Sequence, residues 1–133
     1  MRNTIRLILA SIAGIILSFF VIKGAEGIVA KYYPLNTLNP TIKDLIEQAK
    51  TMPTKGLLMV LAGYIVSSFM GGYLAARLSP EGKKQLGAFV VGFFLLLSGI
   101  VMFISIPHPL WLTIASCVSY LAFSYLGGKT AGA

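Results

Sequence analysis

Four stretches of this chain, 7–22, 56–76, 85–106 and 109–128, contain no acidic or basic side chain. Each is about as long as the ~17–25 helical residues needed to cross the hydrocarbon core of a bilayer. A soluble chain of 133 residues has too small an interior to hide four such runs. In lipid the problem disappears, because acyl chains solvate the outside of a bundle and helices close their own backbone hydrogen bonds. The expected fold is all-α: a polytopic membrane four-helix bundle. It forms a single transmembrane domain over 1–133, with spans at about 5–22, 56–78, 85–106 and 110–128.

The remaining composition narrows the function. Charged residues make up 11% of the chain, against ~25% in ordinary soluble domains. The net charge is +7, yet its lysines and arginines are scattered over loops and helix ends. That pattern fits lipid headgroups and topology, so the bilayer is the expected partner and nucleic acid is not. Cys117 and His108 are the only residues of their kinds. A disulfide within the chain, a paired-thiol redox motif, a Cys-rich metal site and a multi-His site are therefore excluded. No cofactor is expected. Arg2 and Arg6 precede the first run as in a signal peptide, but Lys23 stands where cleavage needs a small residue. An uncleaved anchor is expected.

Along the chain, Ala10, Gly14 and Ser18 form a row of small residues on the first span, a pattern that lets membrane helices approach closely. Nothing breaks this helix before Pro34, so it can run on past the membrane, where Lys23 and Glu26 can pair one turn apart. The outer loop, 24–55, holds an interfacial exit at Tyr32, Tyr33 and Pro34 and a turn over 36–39. A short amphipathic helix is expected at about 40–52, with Asn39 as N-cap and Pro40 at the first helical position. Ile42, Leu45, Ile46, Ala49 and Met52 share one face of it; Lys43, Asp44, Glu47 and Lys50 line the other. Such a helix can lie on the membrane, cap its own bundle or dock a partner.

The second span carries the candidate helix-packing face: Gly63, Ser67, Gly71 and Ala75 recur every four residues, with Ser68, Gly72 and Ala76 beside them. That face serves packing within the chain or a homodimer interface. A tight hairpin over 79–84 follows, then a third span of apolar bulk with Gly87, Gly92 and Gly99 inset. Pro107, His108 and Pro109 make a short turn, and Trp111 beyond it is an interfacial anchor. On the fourth span Thr113, Ser116, Cys117, Tyr120 and Ser124 fall within about 120° of one another. This stripe is the candidate polar cavity or ligand face, expected to point inward, with Leu112 largely outside it. Its hydroxyls serve equally well as hydrogen-bonding glue between helices.

No set of residues qualifies as catalytic: the spans lack carboxylates, and His108 has no orienting acid and no hydroxyl within easy reach. Glu26 is the one carboxylate near a span, and a shift of one turn would bring it toward the core. With both termini and the 79–84 hairpin on one side, that side carries Arg2, Arg6, Arg77, Lys83, Lys84 and Lys129 against Glu81. The other carries five lysines, but spread over a longer loop with Glu26, Asp44 and Glu47. Charge density places both termini in the cytoplasm of a multi-pass inner (plasma) membrane protein.

The assembled pattern includes a glycine-bearing first span and Gly71-Gly72-Tyr73-Leu74-Ala75-Ala76-Arg77 closing the second. It continues with Pro107-His108-Pro109-Leu110-Trp111 opening the fourth span and a Leu126-Gly127-Gly128 exit. It resembles a loose group of small uncharacterised bacterial inner-membrane proteins with four predicted spans. The resemblance implies a topology and no activity, cofactor or site residue. The expected role is non-enzymatic: helix packing, as a homo-oligomer or an accessory subunit of a larger membrane complex. The alternative is a small permease, or a lipid or small-molecule binder, using the polar face of the fourth span.

Overall fold

The structure is a computed structural model that describes residues 2–32, 41–105 and 109–132, without the side chains of Ile42, Leu45, Gln48, Ala49 and Thr51. The expectations at Tyr33, Pro34, the 36–39 turn, Asn39, Pro40, Pro107 and His108, and the apolar side chains of Ile42, Leu45 and Ala49, lie outside the described residues.

Every described element is a helix: α1 (Arg2–Tyr32), α2 (Ile42–Thr51), α3 (Thr54–Leu78), α4 (Lys84–Ser105) and α5 (Leu110–Thr130). All but α2 are long and apolar enough to cross a membrane, which marks the chain as a membrane protein. Residue types explain the boundaries. Pro53, extended at φ −68°, precedes α3; Pro109, likewise without a donor to lose, precedes α5. Ser79 caps α3 through its backbone N–H, which donates to the Ala75 and Ala76 carbonyls at 3.0 and 3.2 Å. The chain then reverses through Pro80–Lys83, where Lys83 N–H donates to the Pro80 carbonyl at 3.0 Å. Gly82 takes φ +82° there, a value that a side chain disfavours and that the third position of this turn requires.

The described part of the short helix starts on a capping contact. Thr41 N–H donates to an Asp44 carboxylate oxygen at 3.0 Å, and Asp44 N–H donates back to the Thr41 hydroxyl at 3.3 Å. Thr41 and Asp44 thus form a capping box around the start at Ile42. Among the described residues α2 makes no extensive contact with the four long helices.

The four long helices form a rhombus. α3 packs against α1, α4 and α5, α4 also touches α1 and α5, and α1 and α5 occupy the far corners. Contacts fix the directions. Arg6 Nε donates to the Leu78 carbonyl, Ser18 Oγ donates to the Ser67 carbonyl at 3.0 Å, and Ala25 seats on Gly63, so α1 and α3 are antiparallel. Tyr64 meets Phe103 of α4 at one end while Ala75 and Ser79 meet Gly87 at the other, so α3 and α4 are antiparallel. Gly92 and Gly99 meet Ser124 and Tyr120 in the same reversed order along α5. The helices run up, down, up, down, and both termini share an end with the 79–83 turn.

Burial is inverted relative to a soluble protein. Phe20, Val101 and Ile104 are 72%, 64% and 78% exposed, positions that acyl chains cover. The interior is built largely of Gly, Ala and Ser: Ser18, Ser67, Ser68, Ala75, Ala76 and Ala88 are all fully buried. Apolar side chains gain little from leaving lipid, so close backbone contact and hydrogen bonds must hold the helices together. The α3 seams are accordingly tight. A Cβ on Gly14 would stand 2.5 Å from the Gly71 carbonyl oxygen and 2.9 Å from the Ala75 methyl. One on Gly72 would stand 2.8 Å from the Ser124 Cα.

Replacing Gly72 by Val forces the Ser124 backbone away and is expected to lower stability by about 1–3 kcal/mol. Gly24 faces open space within α1, so Gly24→Ala is expected to raise stability by up to ~1 kcal/mol through helix propensity. Denaturant unfolding in mixed micelles, followed by helicity, measures both.

Candidate functional site

α3 presents the expected small-residue face, and the monomer itself consumes it. Gly63 receives the Ala25 methyl, Ser67 accepts from Ser18, Gly71 faces Gly14 and Ser18, and Ala75 is wholly buried. The neighbouring row turns toward α5, where Gly72 meets Ser124, while Gly127 presses on Phe69 and the Tyr73 backbone nitrogen. These two rows form adjoining grooves, one for each outer helix. Ser67 and Ser68 both return their hydroxyls to the Tyr64 carbonyl, at 2.8 and 2.7 Å, which leaves the groove surfaces free of dangling donors.

The polar stripe of α5 divides. Ser116, Tyr120 and Ser124 are buried at 0%, 2% and 1%. Thr113 and Cys117 are half-buried on its flank, Thr113 with its hydroxyl on the Pro109 carbonyl at 3.3 Å and Cys117 as a free thiol. The buried face is centred on Leu112, Ser116, Tyr120 and Ser124 and also takes in Ser119. Leu112 is fully buried, against the expectation that it lies outside. The buried face is wider than the stripe: at the helical period Leu112 lies about 40° from Ser116 and about 20° from Ser119, so a face that buries those two serines buries Leu112 with them.

The buried part of the stripe is filled rather than hollow. Ser124 Oγ sits in the notch of Gly92 and donates to the Leu121 carbonyl at 3.1 Å. The Tyr120 ring fills the notch of Gly99. It also tilts against Tyr64 with 5.5 Å between ring centroids, and Tyr64 meets Phe103 edge-on at 6.5 Å. This aromatic cluster, joined by Val91 and Leu95, is the central apolar core. Its sequence signal was faint: Tyr64 lies mid-span, away from the interface where membrane tyrosines usually sit.

Two polar groups do not fit a purely packing role. Ser116 Oγ is buried without a hydrogen-bond partner, and so are both amide atoms of Gln85, whose oxygen lies against Gly128 at the opposite end of α5. Buried polar atoms are normally satisfied, so these two groups stand out against the rest of the interior.

The ion pair of α1 is the third unusual feature. Lys23 Nζ and Glu26 lie 3.5 Å apart, with side chains 80% and 49% exposed. The expected continuation of α1 carries them, but not beyond the bundle. Ala25, between them, seats on Gly63, more than two turns inside α3. The pair therefore stands beside the charge-free run of α3, at the level of the aromatic cluster, and faces outward. Sequence reading placed Glu26 past the end of its own run. It missed the depth because a helix's register against its neighbour cannot be seen from one helix alone.

No group of three or more His, Cys, Asp or Glu among the described residues is arranged to hold a metal ion. Compared with known protein families, curated proteins and solved structures, the chain matches none.

Ser18→Ala removes one interhelical hydrogen bond and is expected to cost about 0.6 kcal/mol. Ser116→Ala removes an unpartnered buried hydroxyl and is expected to be neutral or stabilising by up to ~1 kcal/mol. Thermal unfolding of the purified protein in detergent distinguishes the two signs.

Proposed function

We propose that this is a non-enzymatic integral membrane protein that acts through helix packing, as a homo-oligomer or an accessory subunit of a larger membrane complex. The observation that carries the reading is the outward-facing Lys23–Glu26 pair. Charged side chains at membrane depth are costly and normally face a bundle interior or one another. Lys23 and Glu26 partly neutralise each other, but a lone bundle leaves both against lipid. A second polar helix laid along α1 would cover them and supply the missing hydrogen bonds. The small-residue face of α3 is already occupied by α1, so association falls to this outer face of α1.

The remaining features fit the same reading. The amphipathic sequence of α2, with Lys43, Asp44, Glu47 and Lys50 on one side, suits a helix lying at the membrane surface near that contact. The basic end, with Arg2, Arg6, Arg77, Lys83, Lys84 and Lys129, belongs in the cytoplasm by the positive-inside rule. This charge distribution supports an inner (plasma) membrane location with both termini inside. A specific observation also favours the binder alternative: the orphaned hydroxyl of Ser116, one turn from Tyr120 on the polar face of α5, offers a ligand a polar contact.

The experiment is a mass measurement of the full chain purified in a mild detergent. The expected result is a homo-oligomer or a stoichiometric complex that Lys23→Leu/Glu26→Leu dissociates while leaving helicity intact. A wild-type monomer that co-purifies with nothing overturns the reading. Ligand-dependent stabilisation abolished by Ser116→Ala would move the assignment to the binder alternative.

A further inference from the structure

Among the described residues, a groove remains open beside the packing seam of α1 and α3. It lies between the first turns of α1 and the end of α3, has a volume of about 340 Å³, and is lined by Arg2, Ile5, Arg6, Leu9, Ala10 and Leu78. Apart from the two arginines its lining is wholly apolar. Ile5, Leu9 and Leu78 are 53%, 61% and 44% exposed, so its floor opens toward the lipid-facing side of the bundle.

The arginines stand four residues apart on one helix, and hence on one face. Arg6 Nε donates to the Leu78 carbonyl oxygen at 2.9 Å. This bond satisfies a carbonyl at the end of α3 and fixes the guanidinium at the rim of the groove. Its two terminal nitrogens are then oriented for a further acceptor. Among the described residues neither arginine is ion-paired; Glu81, the acid carried by this end of the bundle, pairs instead with Lys84 at 3.4 Å. Two further cations at the same end are folded back on tyrosines. Arg77 donates to the Tyr73 hydroxyl at 3.1 Å, and Lys129 lies 5.5 Å from the Tyr125 ring centroid. Arg2 and Arg6 are thus a concentrated positive charge above an apolar channel.

We infer that this groove binds an anionic phospholipid, with the phosphate held by Arg2 and Arg6 and an acyl chain laid along Ile5, Leu9 and Leu78. Guanidinium groups match phosphate oxygens in a planar, paired geometry. The helix ends place them at headgroup depth, and the apolar floor continues from there into the bilayer. Charge alone would attract any phosphate; the floor rewards only one that carries a hydrocarbon chain. The site is independent of how the chain associates, since it lies at the opposite end of α1 from Lys23 and Glu26.

The test uses the full chain in a nonionic detergent, with lipid retention read by native mass spectrometry. Phosphatidylglycerol is compared with phosphatidylcholine of the same acyl chains and, by thermal shift, with inorganic phosphate. The expected result is about tenfold preferential retention of phosphatidylglycerol, the equivalent of one charge-assisted hydrogen bond, and no stabilisation by inorganic phosphate. Arg2→Gln/Arg6→Gln should abolish the preference. Arg2→Gln alone should reduce it, and because Arg2 takes part in no hydrogen bond among the described residues, that variant carries the test if the double variant fails to fold. Leu9→Trp, which fills the channel without changing charge, should reduce retention of both lipids. Equal retention of the two lipids by the wild-type chain would overturn the site. So would unchanged preference in the Arg2→Gln and double variants, or protection by inorganic phosphate equal to that by phosphatidylglycerol.

Discussion

The close approach of α1 and α5 to the two small-residue grooves of α3 is the contact on which the rest of the architecture rests. In water the same helices would be driven together by burial of Leu, Ile and Phe. In lipid those side chains gain almost nothing by turning inward, and most of the large ones indeed point out. What remains is dispersion between closely spaced backbones and hydrogen bonds such as Ser18 to the Ser67 carbonyl. Both fall off steeply with distance, which is why Gly14, Gly71 and Gly72 leave no room for a Cβ. Once α1 and α5 are seated, α4 has one place left, across the grooves' other side, where Gly87, Gly92 and Gly99 accept Ser79, Ser124 and Tyr120.

The same contact sets the depth of everything attached to α1. Because Gly14 lies against Gly71 and Ala25 against Gly63, α1 is in register with α3 along nearly its whole length. That register carries Arg6 to the Leu78 carbonyl at one end and leaves Lys23 and Glu26 beside a charge-free stretch near the other. The basic rim and the outward ion pair are thus two consequences of one alignment. One end of the helix carries two arginines at the rim of an apolar groove and the other an exposed ion pair.

Much of the fold was legible in the residues. Charge-free runs located α3, α4 and α5 to within a few residues, whereas α1 continues well past the end of its run at 22, to Tyr32. Prolines at 53 and 109 and the turn at 80–83 marked their limits. The rows Gly63, Ser67, Gly71, Ala75 and Ser68, Gly72, Ala76 announced a packing surface, because small residues at that spacing have little other use in a membrane helix. The candidate polar face of α5 was less legible. Hydroxyl groups look the same in sequence whether they line a cavity or plug a glycine notch. Only the positions of Gly92 and Gly99 show that Ser124 and Tyr120 do the latter, while the Ser116 hydroxyl is buried without a partner.

Sequence by itself determined that these helices belong in lipid and which faces are smooth, since both properties reside in single helices: the length of an apolar run and the size of side chains at a fixed spacing. The tertiary structure decided which smooth face meets which helix, and at what height. It turned a surface equally suited to dimerisation into the interior of one chain. It also moved Lys23 and Glu26 from beyond the bundle to its flank. Register between two helices depends on how the notches of one fit the knobs of the other, and that is a property of the pair.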